Sequence, residues 1–113
     1  MDNNLRAEID RLHAQICSGL ADPNRILILY TLAENAYNVS DLALKVELPQ
    51  STVSRHLKVL RDRDMVTAQR DGQSVFYSLS DDRIIQALNL LRAMLASSLE
   101  NQAALARSVQ IAS

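Results

Sequence analysis

The chain has 113 residues, of which 48% are hydrophobic and 22% charged, with a formal net charge of −1. That length leaves room for one compact domain, 1–113, and the balance excludes a disordered or fibrous chain. A single cysteine, Cys17, excludes an intrachain disulfide and the Cys clusters of structural zinc sites, while the opening Met1-Asp2-Asn3-Asn4 and the lack of a long apolar run lead us to expect a cytoplasmic protein. Aromatic residues make up only 4% whereas Leu, Ala and Ile abound, so the expected core is aliphatic and mainly helical.

In chain order, Leu5, Ile9, Leu12, Ile16 and Leu20 lie at steps of four, three, four and four, which lays one apolar stripe along a helix ending near Gly19. Asp22-Pro23 then pairs an N-cap acid with the residue best suited to a first helical position. The run Ile26-Leu27-Ile28-Leu29-Tyr30-Thr31-Leu32 that follows is apolar almost all round, as a central helix requires. Val39, Leu42, Ala43 and Val46 repeat at i, i+3, i+4, i+7 after the cap candidates Asn38 and Ser40, predicting a short helix that stops before Pro49. A new amphipathic helix begins at about Gln50, with Val53, Leu57 and Leu60 on one face and Ser51, Ser54, Arg55 and Lys58 on the other.

The period then drops to two. Val66 and Ala68 alternate with Thr67 and Gln69, and Val75, Tyr77 and Leu79 with Ser74, Phe76 and Ser78, around Asp71-Gly72. Taking Asp71-Gly72 as a two-residue hairpin turn sets Ala68 opposite Val75 and Val66 opposite Tyr77. The last helix is expected to open at Ser80-Asp81-Asp82, a cap followed by acids, and to carry Ile84, Ile85, Leu88, Leu91, Met94, Leu95 and Leu99. So wide an apolar arc on a terminal helix implies two surfaces to cover, its own domain and a partner.

This order is that of a mainly α winged helix-turn-helix with a small β-hairpin: helix-turn-helix at 39–62, wing at 65–79. A major groove roughly 12 Å wide admits one helix with its side chains. Gln50, Ser51, Thr52, Ser54, Arg55, His56 and Lys58 supply the hydroxyls, amide and cations that base edges and phosphates require, and Arg70 and Gln73 flank the hairpin tip. The overall charge speaks against nucleic acid, but Arg55, Lys58, Arg61, Arg63 and Arg70 outnumber Asp62, Asp64 and Asp71 between Gln50 and Tyr77, so the positive charge is local. The competing reading is a winged helix used only for protein association. The Ser/Thr/Gln/Arg face argues against it, because protein interfaces favour aromatic or aliphatic anchors.

The run Leu48-Pro49-Gln50-Ser51-Thr52-Val53-Ser54-Arg55-His56-Leu57-Lys58-Val59-Leu60-Arg61, with Met65-Val66, Arg70-Asp71-Gly72-Gln73 and Val75-Phe76-Tyr77-Ser78-Leu79, strongly resembles the ArsR/SmtB family of bacterial repressors. The resemblance implies a homodimeric repressor of an inverted-repeat operator in double-stranded DNA, pairing through its first and last helices, here residues 1–20 and 80–110. Leu5, Ile9, Leu12, Leu88, Leu91 and Leu95 would form that seam. The family's metal sites are not matched. The Cys-x-Cys positions read Asn38-Val39-Ser40, and of the last-helix ligands only Asp81 remains, with Met94 and Ser97 further along.

No cofactor is expected, and the weak metal candidates are Cys17 and His13, one helical turn apart. A thiol or metal switch through Cys17 is the alternative form of regulation; otherwise Cys17 beside Ile16 is a small hydrophobe at a helix interface. No Ser/His/Asp set, paired acids or Gly-rich phosphate loop appears, and Gly19 and Gly72 are accounted for as a helix end and a hairpin turn, so an enzyme is not expected.

Overall fold

A computed structural model describes residues 2–112, and the chain divides after Asp82 into two units. The first unit begins with α1 (Asn3–Leu12), capped by the Asp2 carboxylate, which accepts from the Asn4 amide at 3.0 Å. The helix does not run on regularly to Gly19. His13–Cys17 form a π-helical turn, in which the Ser18 amide reaches back to the His13 carbonyl, before the short α2 (Ser18–Leu20). A turn of this kind re-phases the side chains that follow it.

Gly19 lies against the side chains of Met65 and Arg63, where an added methyl group would crowd them. A Cβ there would stand 2.5 Å from Met65 Sδ and 3.2 Å from Arg63 Cδ, and Met65 is fully buried. Gly19→Ala is therefore expected to lower unfolding stability by about 1–3 kcal/mol through overpacking. Urea denaturation should show a lower midpoint at unchanged slope, and an unchanged midpoint would refute the clash.

α3 (Pro23–Glu34) starts as the sequence indicates. Asp22 is extended, its carboxylate accepts from the Asn24 amide at 2.8 Å and the Arg25 amide at 3.4 Å, and Pro23 occupies the first turn. Ile28, Leu29 and Leu32 are buried; Thr31, the one buried polar residue among those described, satisfies its hydroxyl on the Leu27 carbonyl at 2.8 Å. α4 (Val39–Val46) is capped by Asn38, whose side chain accepts from the Asp41 amide at 2.8 Å, while Ser40 turns its hydroxyl to Asn38 instead.

Two left-handed residues bracket the next helix. Glu47 (φ 59°) stops α4, with the Leu48 amide donating to the Ala43 carbonyl, and α5 (Gln50–Asp62) follows directly on Pro49. Asp64 (φ 57°) stops α5 in a Schellman arrangement: the Met65 amide bonds Leu60 O at 2.9 Å and the Asp64 amide bonds Arg61 O at 3.0 Å. The core joins Ile28, Leu29 and Leu32 of α3 to Leu42, Ala43 and Val46 of α4, Val53, Leu57 and Leu60 of α5, and Met65 and Val66. Each large aliphatic side chain withdrawn from water contributes about 1.5–3 kcal/mol.

β1 (Val66–Asp71) and β2 (Ser74–Leu79) form an antiparallel hairpin whose register differs from the sequence expectation. Val66 faces Leu79, Ala68 faces Tyr77 and Arg70 faces Val75. Asp71 pairs with Ser74, so the turn residues are Gly72 and Gln73. Gly72 has φ +64° and Gln73 does not share the left-handed conformation, which places the glycine at the first central position as in a type II′ turn. An isolated antiparallel bridge joins Tyr37 to Tyr77, with Tyr37 N–H to Tyr77 O at 3.1 Å and Tyr77 N–H to Tyr37 O at 2.8 Å.

The last helix begins at Arg83, and Ser80, a helix cap by its sequence, closes the hairpin instead. Its hydroxyl donates to Asp64 O at 2.6 Å and its amide to Met65 O at 3.2 Å. The second unit is α6 (Arg83–Ala112), 30 residues and so about 45 Å long. Leu88 is buried, whereas Leu90, Leu91, Met94, Leu95, Leu99, Leu105 and Val109 are all more than half exposed. The winged helix-turn-helix reading holds. Among the described residues no helix is long and apolar enough to cross a membrane.

Candidate nucleic-acid interface

α5 is amphipathic because its apolar residues recur at 53, 57 and 60, and burying them leaves the opposite arc in solvent. Gln50, Ser51, Ser54, Arg55 and Lys58 are exposed on that arc. Thr52 and His56 lie at its edge and are half-buried. Lys58 Nζ stands 3.3 Å from Asp62 Oδ2 one turn on, an exposed pair of small strength that a phosphate can displace.

His56 parts from the other six residues. Its ring turns toward the start of α3, with Nε2 4.0 Å from Asp22 Oδ1 and Nδ1 3.5 Å from Arg25 Nη1, and its side chain is 14% exposed. Desolvation raises the Asp22 pKa, but the amides of Asn24 and Arg25 and then the charges of His56 and Arg25 outweigh it, holding the carboxyl below its ordinary value.

In the wing, Arg70 and Gln73 are both exposed, Arg70 on β1 and Gln73 within the turn. Arg63, counted among the local positive charges, is turned inward. Its Nε donates to Ser18 Oγ at 2.8 Å and its Nη1 to Val59 O at 3.4 Å, while its carbonyl accepts from Gln15 Nε2 at 3.2 Å. The exposed cations of this face are therefore Arg55, Lys58, Arg61 and Arg70.

The expected seam residues divide in the same way. Leu5, Ile9 and Leu12 of α1 are 44–51% exposed, and Leu91 and Leu95 of α6 are 56% and 61% exposed, but Leu88 is buried within the single chain. Cys17 is exposed and does not fill a helix interface in the single chain; His13 is exposed too. Among the described residues no three His, Cys, Asp or Glu side chains come together as a metal site would require.

Residues 22–68 match the family described as bacterial regulatory protein, arsR family. The HTH-type transcriptional regulator NmtR of Mycobacterium tuberculosis is 36% identical over 89 residues, spanning 79% of this chain and 71% of that protein. The chain belongs to the arsR family. The nodulation protein NolR of Rhizobium meliloti is 41% identical to this arsR-family chain over 78 residues, 69% of it, and the match spans 64% of the NolR length. The solution structure of a homodimeric winged helix-turn-helix DNA-binding domain from Mycobacterium bovis shares the fold, with a TM-score of 0.75, 24% identity and coverage of 89% of this chain and 93% of that one. Regulators, not enzymes, surround this arsR-family chain.

Sequence reasoning missed Arg25. Its Nε donates to Gly19 O at 2.8 Å and its Nη2 to Ser18 O at 3.1 Å, the third nitrogen being the one beside His56. Its place one turn after an N-cap acid reads as an ordinary surface position, and only the close approach of α2 gives it a role.

Proposed function

We propose that the protein is a sequence-specific DNA-binding transcriptional regulator, a cytoplasmic homodimeric repressor of an inverted-repeat operator. The observation that carries this is the solvent face of α5, where Gln50, Ser51, Ser54, Arg55 and Lys58 stand exposed over an anchored apolar back, with Arg70 exposed on the wing. A helix so held can enter a major groove, its amide and guanidinium reading base edges and its lysine meeting phosphate. Thr52 and Gln73 border this surface; His56 acts from behind it.

Helices α1 and α6 each carry an unpartnered apolar face, through Leu5, Ile9 and Leu12 and through Leu91 and Leu95, and a second copy of the chain would cover both. Two α5 helices would then meet successive major grooves roughly 34 Å apart, which is why the operator should be an inverted repeat. The effector is not one held by the family's Cys-x-Cys or last-helix ligand sets, of which only Asp81 is present here.

The test is selection of duplex from a random-sequence pool by the purified chain, with an Arg55→Ala, Lys58→Ala double variant as control. An inverted repeat enriched by the wild type alone supports the proposal, and equal enrichment by both removes it. In titrations on the selected duplex, Arg55→Ala should lose about 1–3 kcal/mol and relax preference at one base pair, if that guanidinium reads a guanine. Lys58→Ala should weaken all sequences alike and lower the salt slope by about one.

A further inference from the structure

We propose that Arg25 and His56 form a positioning pair that sets the aim of α5, and so the base preference of the protein, without touching DNA; this rests on the DNA-binding reading above. Three nitrogens of one planar guanidinium have separate partners. Nε and Nη2 clasp the carbonyls of Gly19 and Ser18 at 2.8 and 3.1 Å, and Nη1 faces His56 Nδ1 at 3.5 Å. The short α2 is thereby tied to the middle of α5 through a fork that has no rotational freedom of its own.

The chemistry fixes one tautomer. Arg25 only donates, so the neutral ring meets it with the Nδ1 lone pair and carries its hydrogen on Nε2, which faces Asp22 Oδ1 at 4.0 Å. Asp22 in turn is held by its cap bonds to the Asn24 and Arg25 amides. The imidazole thus stands between Asp22 and Arg25 at the start of α3, one residue from Arg55 and two from Lys58.

On its other side α2 is held by Arg63, at the C-terminal end of α5, through the Ser18 hydroxyl at 2.8 Å. Two arginines therefore bind α5 to α2 at two heights, which resists rotation of the helix about its own axis as one contact would not. Rotation matters because neighbouring residues on a helix are about 100° apart around it, so a small turn moves Arg55 off a base edge while Lys58 still finds a phosphate.

Three variants of the full chain, Arg25→Lys, His56→Leu and His56→Asn, test this on two probes: the duplex that the wild type selects from a random pool and a scrambled duplex of equal length. Arg25→Lys keeps the charge but lacks the fork. His56→Leu removes the acceptor, and His56→Asn returns an oxygen near the Nδ1 position. The expected result is a fall of about tenfold in the ratio of selected to scrambled affinity for Arg25→Lys and His56→Leu, the scale of one misaimed base contact. Scrambled-duplex affinity and salt slope should be unchanged, and His56→Asn should recover most of the ratio.

A salt slope smaller by about one in an Arg25→Gln companion, which removes the charge, would show that Arg25 meets a phosphate directly, and would overturn the proposal. A lower melting temperature with the ratio intact would overturn it too, leaving the pair a structural contact only. If Arg25→Lys fails to fold, the comparison of His56→Leu with His56→Asn decides alone. A wild type that selects no sequence removes the DNA-binding reading itself, whereas a selective wild type with equally selective variants removes only this inference.

Discussion

Truncating Leu57 to alanine is expected to lower unfolding stability by about 2–5 kcal/mol, the range for deleting a fully enclosed aliphatic side chain. Leu57 is 1% exposed and lies in one core with Val53, Leu60 and the inner residues of α3 and α4. Against a typical total of about 5–15 kcal/mol, this is a large fraction. Chemical denaturation should show the midpoint fall with the slope preserved, while Arg55→Ala, two positions away on the solvent arc, should leave the midpoint within about 0.5 kcal/mol of wild type. The two substitutions are thus expected to have opposite signatures. One loses stability and the other loses DNA affinity, and a Leu57→Ala chain as stable as wild type would show that α5 is not anchored as described.

The double substitution Leu91→Glu, Leu95→Glu is expected to leave the protein monomeric. Both side chains are more than half exposed in the single chain, so the change should cost little within one copy, yet it would place four carboxylates across a two-fold seam without partners. A monomer reads one half-site. Specific binding exceeds non-specific binding by about 4–10 kcal/mol in typical regulators, and roughly half of that, about 2–5 kcal/mol, should go with the lost second helix. Sedimentation gives the assembly state and gel-shift titration the affinity. A dimer that survives both charges would move the seam away from this face of α6.

Much of this architecture is legible in the sequence because local chemistry and long-range packing agree. Asp22-Pro23 announces α3 through a cap and a fixed φ, and the cap is there at 2.8 Å. Val53, Leu57 and Leu60 reveal which side of α5 is buried, and that fixes Ser51, Ser54, Arg55 and Lys58 on the other. The hairpin is legible but its register is not. Asp71-Gly72 suits a turn with both residues left-handed, whereas Gly72-Gln73 needs only one, and nothing in the dipeptide itself chooses between them.

The illegible features depend on groups far apart in the chain. The stripe from Leu5 to Leu20 gives no sign of the π-helical turn at His13–Cys17, because its steps of three and four residues suit an unbroken α-helix. His56 belongs by spacing to the border of the solvent arc, and only Asp22 and Arg25, more than thirty residues earlier in sequence, draw it inward. Ser80 resembles a helix cap, yet the left-handed stop at Asp64 leaves a carbonyl within reach of its hydroxyl, and that acceptor takes it.

The bridge between Tyr37 and Tyr77 consists of main-chain atoms alone. Any residue except proline can supply those donors and acceptors, so drift in the side chains at these two positions leaves the tether standing. The base of the wing is in that sense insulated from its own sequence, whereas the exposed Arg70 and Gln73 toward the tip can act only through their side chains. Substitutions at the tip can accordingly change what the wing touches while the main-chain bridge at its base stays in place, a division of labour between backbone and side chain.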